Sequence, residues 1–373
     1  MKATIFTTVA MCALPLALQA GPLDSWTSRS SGTTNKLVGV TYDNGIFVAV
    51  GLPGTILSST NGINWSSRNS GTTNGVGGVV YAGGKWVATG GSNGILTSAD
   101  LVMWTQQNDG NTNTVLRIGY GSGTFVAVGN LGTIVTSTNA TNWVTRASGT
   151  TNPLAKANYA NGIFVVTGQG GVILTSADGT SWTSRTSGTT NNLSGGMAFG
   201  NGLFVVTGDN VPNPAPPILT SLDGVTWANQ TAAANHELSA ITYGNGMFVA
   251  VGSQGGVQTS PDGTNWTARS SGDSGHQFYG VAYGNGTFVA VGDNGTILQS
   301  GDTRLRLVQP AVSVGSFAFT ITNGVGQRSR IQASTNLTAW VDILTNNTTP
   351  ASLPLQDTNA GSFPRRSYRA VVP

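Results

Sequence analysis

The stretch "LVGVTYDNGIFVAVGLPGTILSSTNGINWSSR", Leu37–Arg68, decides the fold. It holds four short β-rich runs, "LVGVTY", "IFVAV", "GTILSS" and "INWSSR". Asn-Gly separates the first pair and the last pair, and a Gly-containing turn separates the middle pair. Asn and Gly both accept positive φ, so Asn-Gly between β runs predicts a tight hairpin. Four antiparallel strands in about 40 residues is the unit of a propeller blade.

The unit recurs along the chain. Trp26, Trp65, Trp104, Trp143 and Trp182 are spaced by 39, Trp227 follows after 45 and Trp266 after 39. The longer step carries an insertion, "NVPNPAP", Asn210–Pro216. Three-strand sets begin near Leu37, Val76, Val115, Leu154, Leu193, Leu238 and Phe278. The first Trp strand, "SWTSR" at Ser25–Arg29, has no partners before it, and the last set, ending "GTILQS" at Ser300, has no Trp strand after it. Joining the two closes a ring of seven blades and removes free sheet edges. The expected fold is all-β: a seven-bladed β-propeller over residues 21–302, closed by the N-terminal strand, then a small β-sandwich-like domain over 303–373. A rival closure would use "RLRLV", Arg304–Val308, as the last outer strand, but it lacks the Trp and the Arg three residues later.

The turns before the Trp residues carry a further pattern. They read "SADGTSW" (Ser176–Trp182), "SLDGVTW" (Ser221–Trp227) and "SPDGTNW" (Ser260–Trp266), with looser copies "STNGINW", "SADLVMW" and "STNATNW". These resemble the Asp-boxes of the BNR-repeat propellers, a family that includes sialidases, some glycoside hydrolases and the photosystem II assembly factor. The Asp stands four residues before the Trp where the family has five, so the boxes are shortened. In such a box the Asp or Asn accepts turn N–H groups, Gly permits positive φ and Trp packs between blades. The resemblance implies a peripheral fold element. Asp100, Asp178, Asp223 and Asp262, with Trp65, Trp104, Trp143, Trp182, Trp227 and Trp266, are therefore expected to be structural.

Composition narrows the function. Charged residues make up 8% of the chain and glycine 53 of 373 positions, against roughly a quarter and about 7% in ordinary soluble domains. Residues 1–20 read as an export leader: Lys2, an apolar run from Ile5 to Leu18, and small Ala20 before Gly21. The only cysteine, Cys12, lies in that leader. A mature secreted chain would have no disulfide, thiol nucleophile or thiolate metal site. No membrane span is expected, because the leader's apolar run is short and no second one follows. The propeller segment carries nine Lys and Arg against twelve acids, net −3, and residues 303–373 carry seven Arg against two Asp, net +5. The slight negative charge of the first argues against nucleic acid. The basic end suggests attachment to an anionic cell-surface polymer, or a solvated cap.

Departures from the repeat mark the candidate site. The pentapeptide "SGTTN" occurs at Ser31–Asn35, Ser70–Asn74, Ser148–Asn152 and Ser187–Asn191, as the joint from one blade to the next. The joints into the last two blades differ most, and hold the only histidines, His236 and His276, the only glutamate, Glu237, and Asp273. On the inner strand Gly39, Gly78, Gly196, Ala240 and Gly280 are small, but blades 3 and 4 place Arg117 and Lys156 there. Asp209 begins the loop with the insertion. His236, Glu237, His276, Asp273, Arg117, Lys156 and Asp209 are the candidate ligand-binding residues. A glycosidase needs two carboxyl groups within about 5–10 Å, and Glu237 with Asp273 or Asp209 could supply them. Sialidase chemistry would need three converging arginines, and Arg117 alone departs from the outer-strand series. Two histidines on separate loops are weak grounds for a metal site. The preferred reading is a secreted, monomeric, non-enzymatic propeller that binds a glycan or a protein, with no cofactor and no metal. The alternative is an exported glycoside hydrolase or lyase.

Overall fold

A computed structural model describes residues 21–90, 94–209, 216–233, 236–304, 306–313, 316–322, 329–346, 352–357, 360 and 366–371. The leader at 1–20 and most of the insertion at Asn210–Pro216 lie outside them. Among the described residues, seven antiparallel four-stranded sheets follow one another. Blades 1 to 6 span residues 36–69, 76–107, 115–146, 154–185, 196–230 and 238–269. Blade 7 takes three strands from 278–300 and its fourth from Trp26–Arg29. Trp26 pairs with Ser300 and Arg29 with Ile297. Residues Arg306–Ser313 pair instead with Ser316–Thr322, so the rival closure is not used.

The turns explain why the sequence folds this way. Asn44 and Gly45 sit at φ 49° and 77°, the conformation that a two-residue hairpin needs. A second device lies in the inner strand. In six blades the register slips by one residue, as between Leu37 and Gly39 opposite Gly51 and Val50. A bulge of this kind re-aims the residue beside it. The partner strand must then come very close: a Cβ on Gly51 would lie 2.0 Å from the Lys36 carbonyl, and one on Gly129 would lie 1.9 Å from that of Thr114. This is why the second strand of each of these blades carries a glycine at that point.

The core consists of seams between blades. Seven buried clusters each join two consecutive blades, and one of them joins blade 7 to blade 1 through Phe47, Leu57, Val289 and Ile297. Each seam holds one of the repeating Trp residues. In the turns before the Trp residues, Asp178 Oδ1 accepts the N–H of Thr180 at 2.8 Å, and the Trp182 indole donates to the Gly179 carbonyl at 3.1 Å. The Thr180 hydroxyl, with the Thr180 and Ser181 N–H groups and the Ser176 hydroxyl, holds the Asp178 carboxyl well below the usual carboxylate range. The outer-strand residues bond sideways within their own blade: Arg185 donates to the Thr175 hydroxyl at 2.8 Å, and Gln230 to that of Thr220 at 2.9 Å.

The C-terminal residues form two three-stranded sheets around Phe319, Ile321 and Ile331. One turn there repeats the blade device: Asn336 Oδ1 accepts from Thr338 and Ala339 at 3.0 and 2.9 Å, and Trp340 donates to Leu337 at 3.1 Å. The signal for this turn is in the sequence, since "STNLTAW" has the same Asn-to-Trp spacing as "STNGINW".

Candidate binding face and central bore

The joints between blades are stiff. In "SGTTN" the Ser hydroxyl turns back to the carbonyl two residues on, as Ser31 does to Thr33 at 3.0 Å and Ser187 to Thr189 at 3.1 Å. That carbonyl in turn sits against the hairpin of an adjacent blade: a Cβ on Gly171 would lie 2.0 Å from the Thr189 oxygen. The joint into blade 7 keeps this hook, with the Ser271 hydroxyl donating to Asp273 at 2.9 Å and Gly255 at 2.7 Å. What changes there is the side chains.

His236 and Asp273 line one open cleft of about 380 Å³, with Gln254, Gln258 and Arg269. Arg269 is held by Asp24 at 3.2 Å. Asp273 is turned inward on its own loop. It accepts the Gly275 N–H at 2.9 Å and approaches His276 Nδ1 at 2.8 Å. With the proton on Nδ1, His276 donates to that carboxylate. His276 and Glu237 are not among the lining residues of this cleft. Asp209 belongs to a different group, accepting from Asn192 at 3.2 Å and Ser194 at 3.0 Å.

Glu237 opens a chain of polar contacts across three blades. It accepts from Ser239 at 2.9 Å and from Gln277 at 3.0 Å. The Tyr279 hydroxyl donates to Gln277 at 3.1 Å, and the Lys36 ammonium lies 3.8 Å above the Tyr279 ring and 3.9 Å from Asp293. Glu237, Gln277 and Lys36 hold the same repeat position in blades 6, 7 and 1, just before the first core residue of the inner strand. The sequence reading missed Gln277, Tyr279, Asp293 and Lys36. A signal existed, since Tyr279 stands where other copies have Val38, Gly77 or Ala155.

Arg117 and Lys156 meet in the central bore. They line one channel with Gly39, Gly78, Gly196, Ala240 and Gly280, as their repeat positions imply. Each stands at the register slip of its inner strand. Arg117 donates to the Leu116 carbonyl at 3.1 Å and reaches that of Val38 at 3.5 Å. The walled position lowers the Arg117 pKa to about 10. Burial, then the charge of Arg117, pushes the Lys156 ammonium well below its ordinary value. Both keep some surface open to the bore, so the shifts reflect enclosure by strands rather than complete burial.

Two negative findings concern the described residues. No group of three His, Cys, Asp or Glu side chains is placed to hold a metal ion. No helix is long and apolar enough to cross a membrane. In the basic C-terminal part, Arg330 pairs with Asp342 at 3.6 Å, Arg366 with Asp357 at 3.0 Å, and Arg369 stacks on Trp340 at 4.2 Å.

Comparison with known proteins supports the fold. The chain is a β-propeller. It is similar to YCF48 bound to D1 peptide, with 17% identity over 74% of this chain and 96% of that one, at a TM-score of 0.60. YCF48 from Cyanidioschyzon merolae matches with 15% identity over 74% and 98%, at 0.61. Virginiamycin B lyase from Staphylococcus aureus matches with 10% identity over 74% and 99%, at 0.67. No family model and no curated protein sequence matches.

Proposed function

We propose that the protein is a non-enzymatic binding propeller that holds an extended segment of another protein across the loops of blades 6, 7 and 1. The observation that carries this reading is the cross-blade chain Ser239–Glu237–Gln277–Tyr279–Lys36–Asp293. It presents carboxylate, amide, phenol and ammonium groups in a row, the mixture that reads a peptide backbone and its side chains. The YCF48 structure that the chain resembles is bound to a peptide, which favours a protein ligand over a glycan. Within this reading the Asp-box resemblance describes the architecture, the leader takes the protein out of the cytoplasm, and the basic C-terminal module meets an anionic surface polymer. The hydrolase or lyase alternative draws on Glu237 and on the Asp273–His276 pair. Against it, Glu237 is bonded into the rim and His276 into its own loop.

The test is selection of peptides from a displayed random library on the whole protein, with a glycan array in parallel. Selected peptides are expected to bind Tyr279→Ala and Glu237→Gln at least tenfold more weakly. Binders indifferent to both substitutions, or glycan hits alone, would reject the proposal. Turnover of a glycoside that disappears in Glu237→Gln would establish the enzymatic alternative.

A further inference from the structure

We propose that the central bore is an anion site, in which Arg117 and Lys156 hold one small oxyanion or carboxylate between them. This inference does not depend on the peptide-binding reading: the bore and the rim share Tyr279, but the anion is held by Arg117 and Lys156, which the rim does not use. Three observations carry it. First, two cations from adjacent blades occupy the same repeat position and line the same channel. Second, among the described residues no Asp or Glu lines that channel, and the Lys156 ammonium has no hydrogen-bond or ion-pair partner. Third, the space is about 190 Å³, and it exists because the facing positions are Gly39, Gly78, Gly196, Ala240 and Gly280. A water molecule takes about 30 Å³, so the bore admits a phosphate or a carboxylate with its hydration and excludes a folded partner.

The physics favours occupation. Two like charges enclosed by strands repel more strongly than in water, and no protein carboxylate among the described residues lines the channel to offset them. Arg117 has five N–H donors, of which the Leu116 and Val38 carbonyls take two. The remaining donors and the Lys156 ammonium can converge on oxygen atoms of a bound anion. Charge-assisted bonds of this kind are the stronger class.

The test uses the whole protein and sodium phosphate, with sodium chloride at matched ionic strength as control. Phosphate is expected to raise the melting temperature saturably beyond the chloride control, and to bind by titration calorimetry. Lys156→Met should keep the fold, melt higher than the parent without phosphate, and bind phosphate at least tenfold more weakly. N-acetylglycine should compete with phosphate and N-acetylglycine amide should not, which separates a carboxylate from an inorganic ion while keeping the same chemistry. A response equal to chloride, an unchanged response in Lys156→Met, or equal competition by the amide would each overturn the site.

Discussion

Asp109 stands where "SGTTN" has its serine, in the joint into blade 3. It is 1% exposed, and only one of its carboxylate oxygens has a partner, the Asn111 N–H at 2.9 Å. A serine there would make the same turn and remove an unsatisfied buried charge. Asp109→Ser is therefore expected to stabilise the protein by about 1 kcal/mol, read as a higher midpoint in urea. Lys156 yields a pH prediction. Its folded-state pKa is below the ordinary 10.5, so its cost is present in full below the folded pKa. The cost fades as pH rises toward the unfolded value. Without phosphate, the gain in melting temperature from Lys156→Met should be larger at acidic pH and should narrow as pH approaches 10. An equal gain at every pH would contradict the shift. Arg117 and Lys156 were legible in the sequence because each breaks a run of small residues. Lys36 and Asp293 were not, because each is an ordinary polar residue until a strand 257 positions away brings them together.

Elements in this chain were legible because period and turn chemistry agree. Asn-Gly and the recurrent Trp set four strands per unit, and the seven sheets follow that count. The register slip in the inner strand was not legible, since a bulge shifts pairing without changing composition. Its trace is the glycine that ends "FVAVG". Gly129→Ala tests it: the added Cβ would meet the Thr114 carbonyl at 1.9 Å, so blade 3 must shift. A loss of about 2 kcal/mol or more is expected, against a small effect for Gly275→Ala, which lies outside the left-handed region and where a Cβ would meet only the Asp273 carboxylate at 3.8 Å. Comparable urea midpoints for the two variants would argue against the bulge. The loops were only half legible. Loss of "SGTTN" located the unusual joints, but sequence could not say that His236 and Asp273 would share a cleft while His276 turned away from it.

At the scale of the molecule, closure is the decisive contact. Trp26 and Leu23 enter the seam between blades 6 and 7, and Trp26–Arg29 covers the last edge of blade 7. Removing residues 21–29 should leave the outer edge of Ile297–Ser300 unpaired and the seam short of a Trp. The truncated chain is expected to self-associate and to unfold at lower urea, seen by size exclusion and fluorescence. A monomer of unchanged stability would mean that the ring does not need its first strand. This closure could be read from counting alone, because seven Trp strands and seven three-strand sets leave one orphan at each end.

The pairing of Trp26 with Ser300 also sets a timetable. The first strand of the ring leaves the ribosome long before its partner exists. At roughly 5–20 residues per second, the gap between them takes on the order of 15–55 s to synthesise. Blades 1 to 6 each pair strands close in sequence and can form as they emerge. The opening strand cannot, and must stay uncommitted until the last blade arrives. The ring is thus built as an open arc and locked by its oldest segment, so any factor that holds Trp26–Arg29 early in synthesis would govern when the propeller becomes complete.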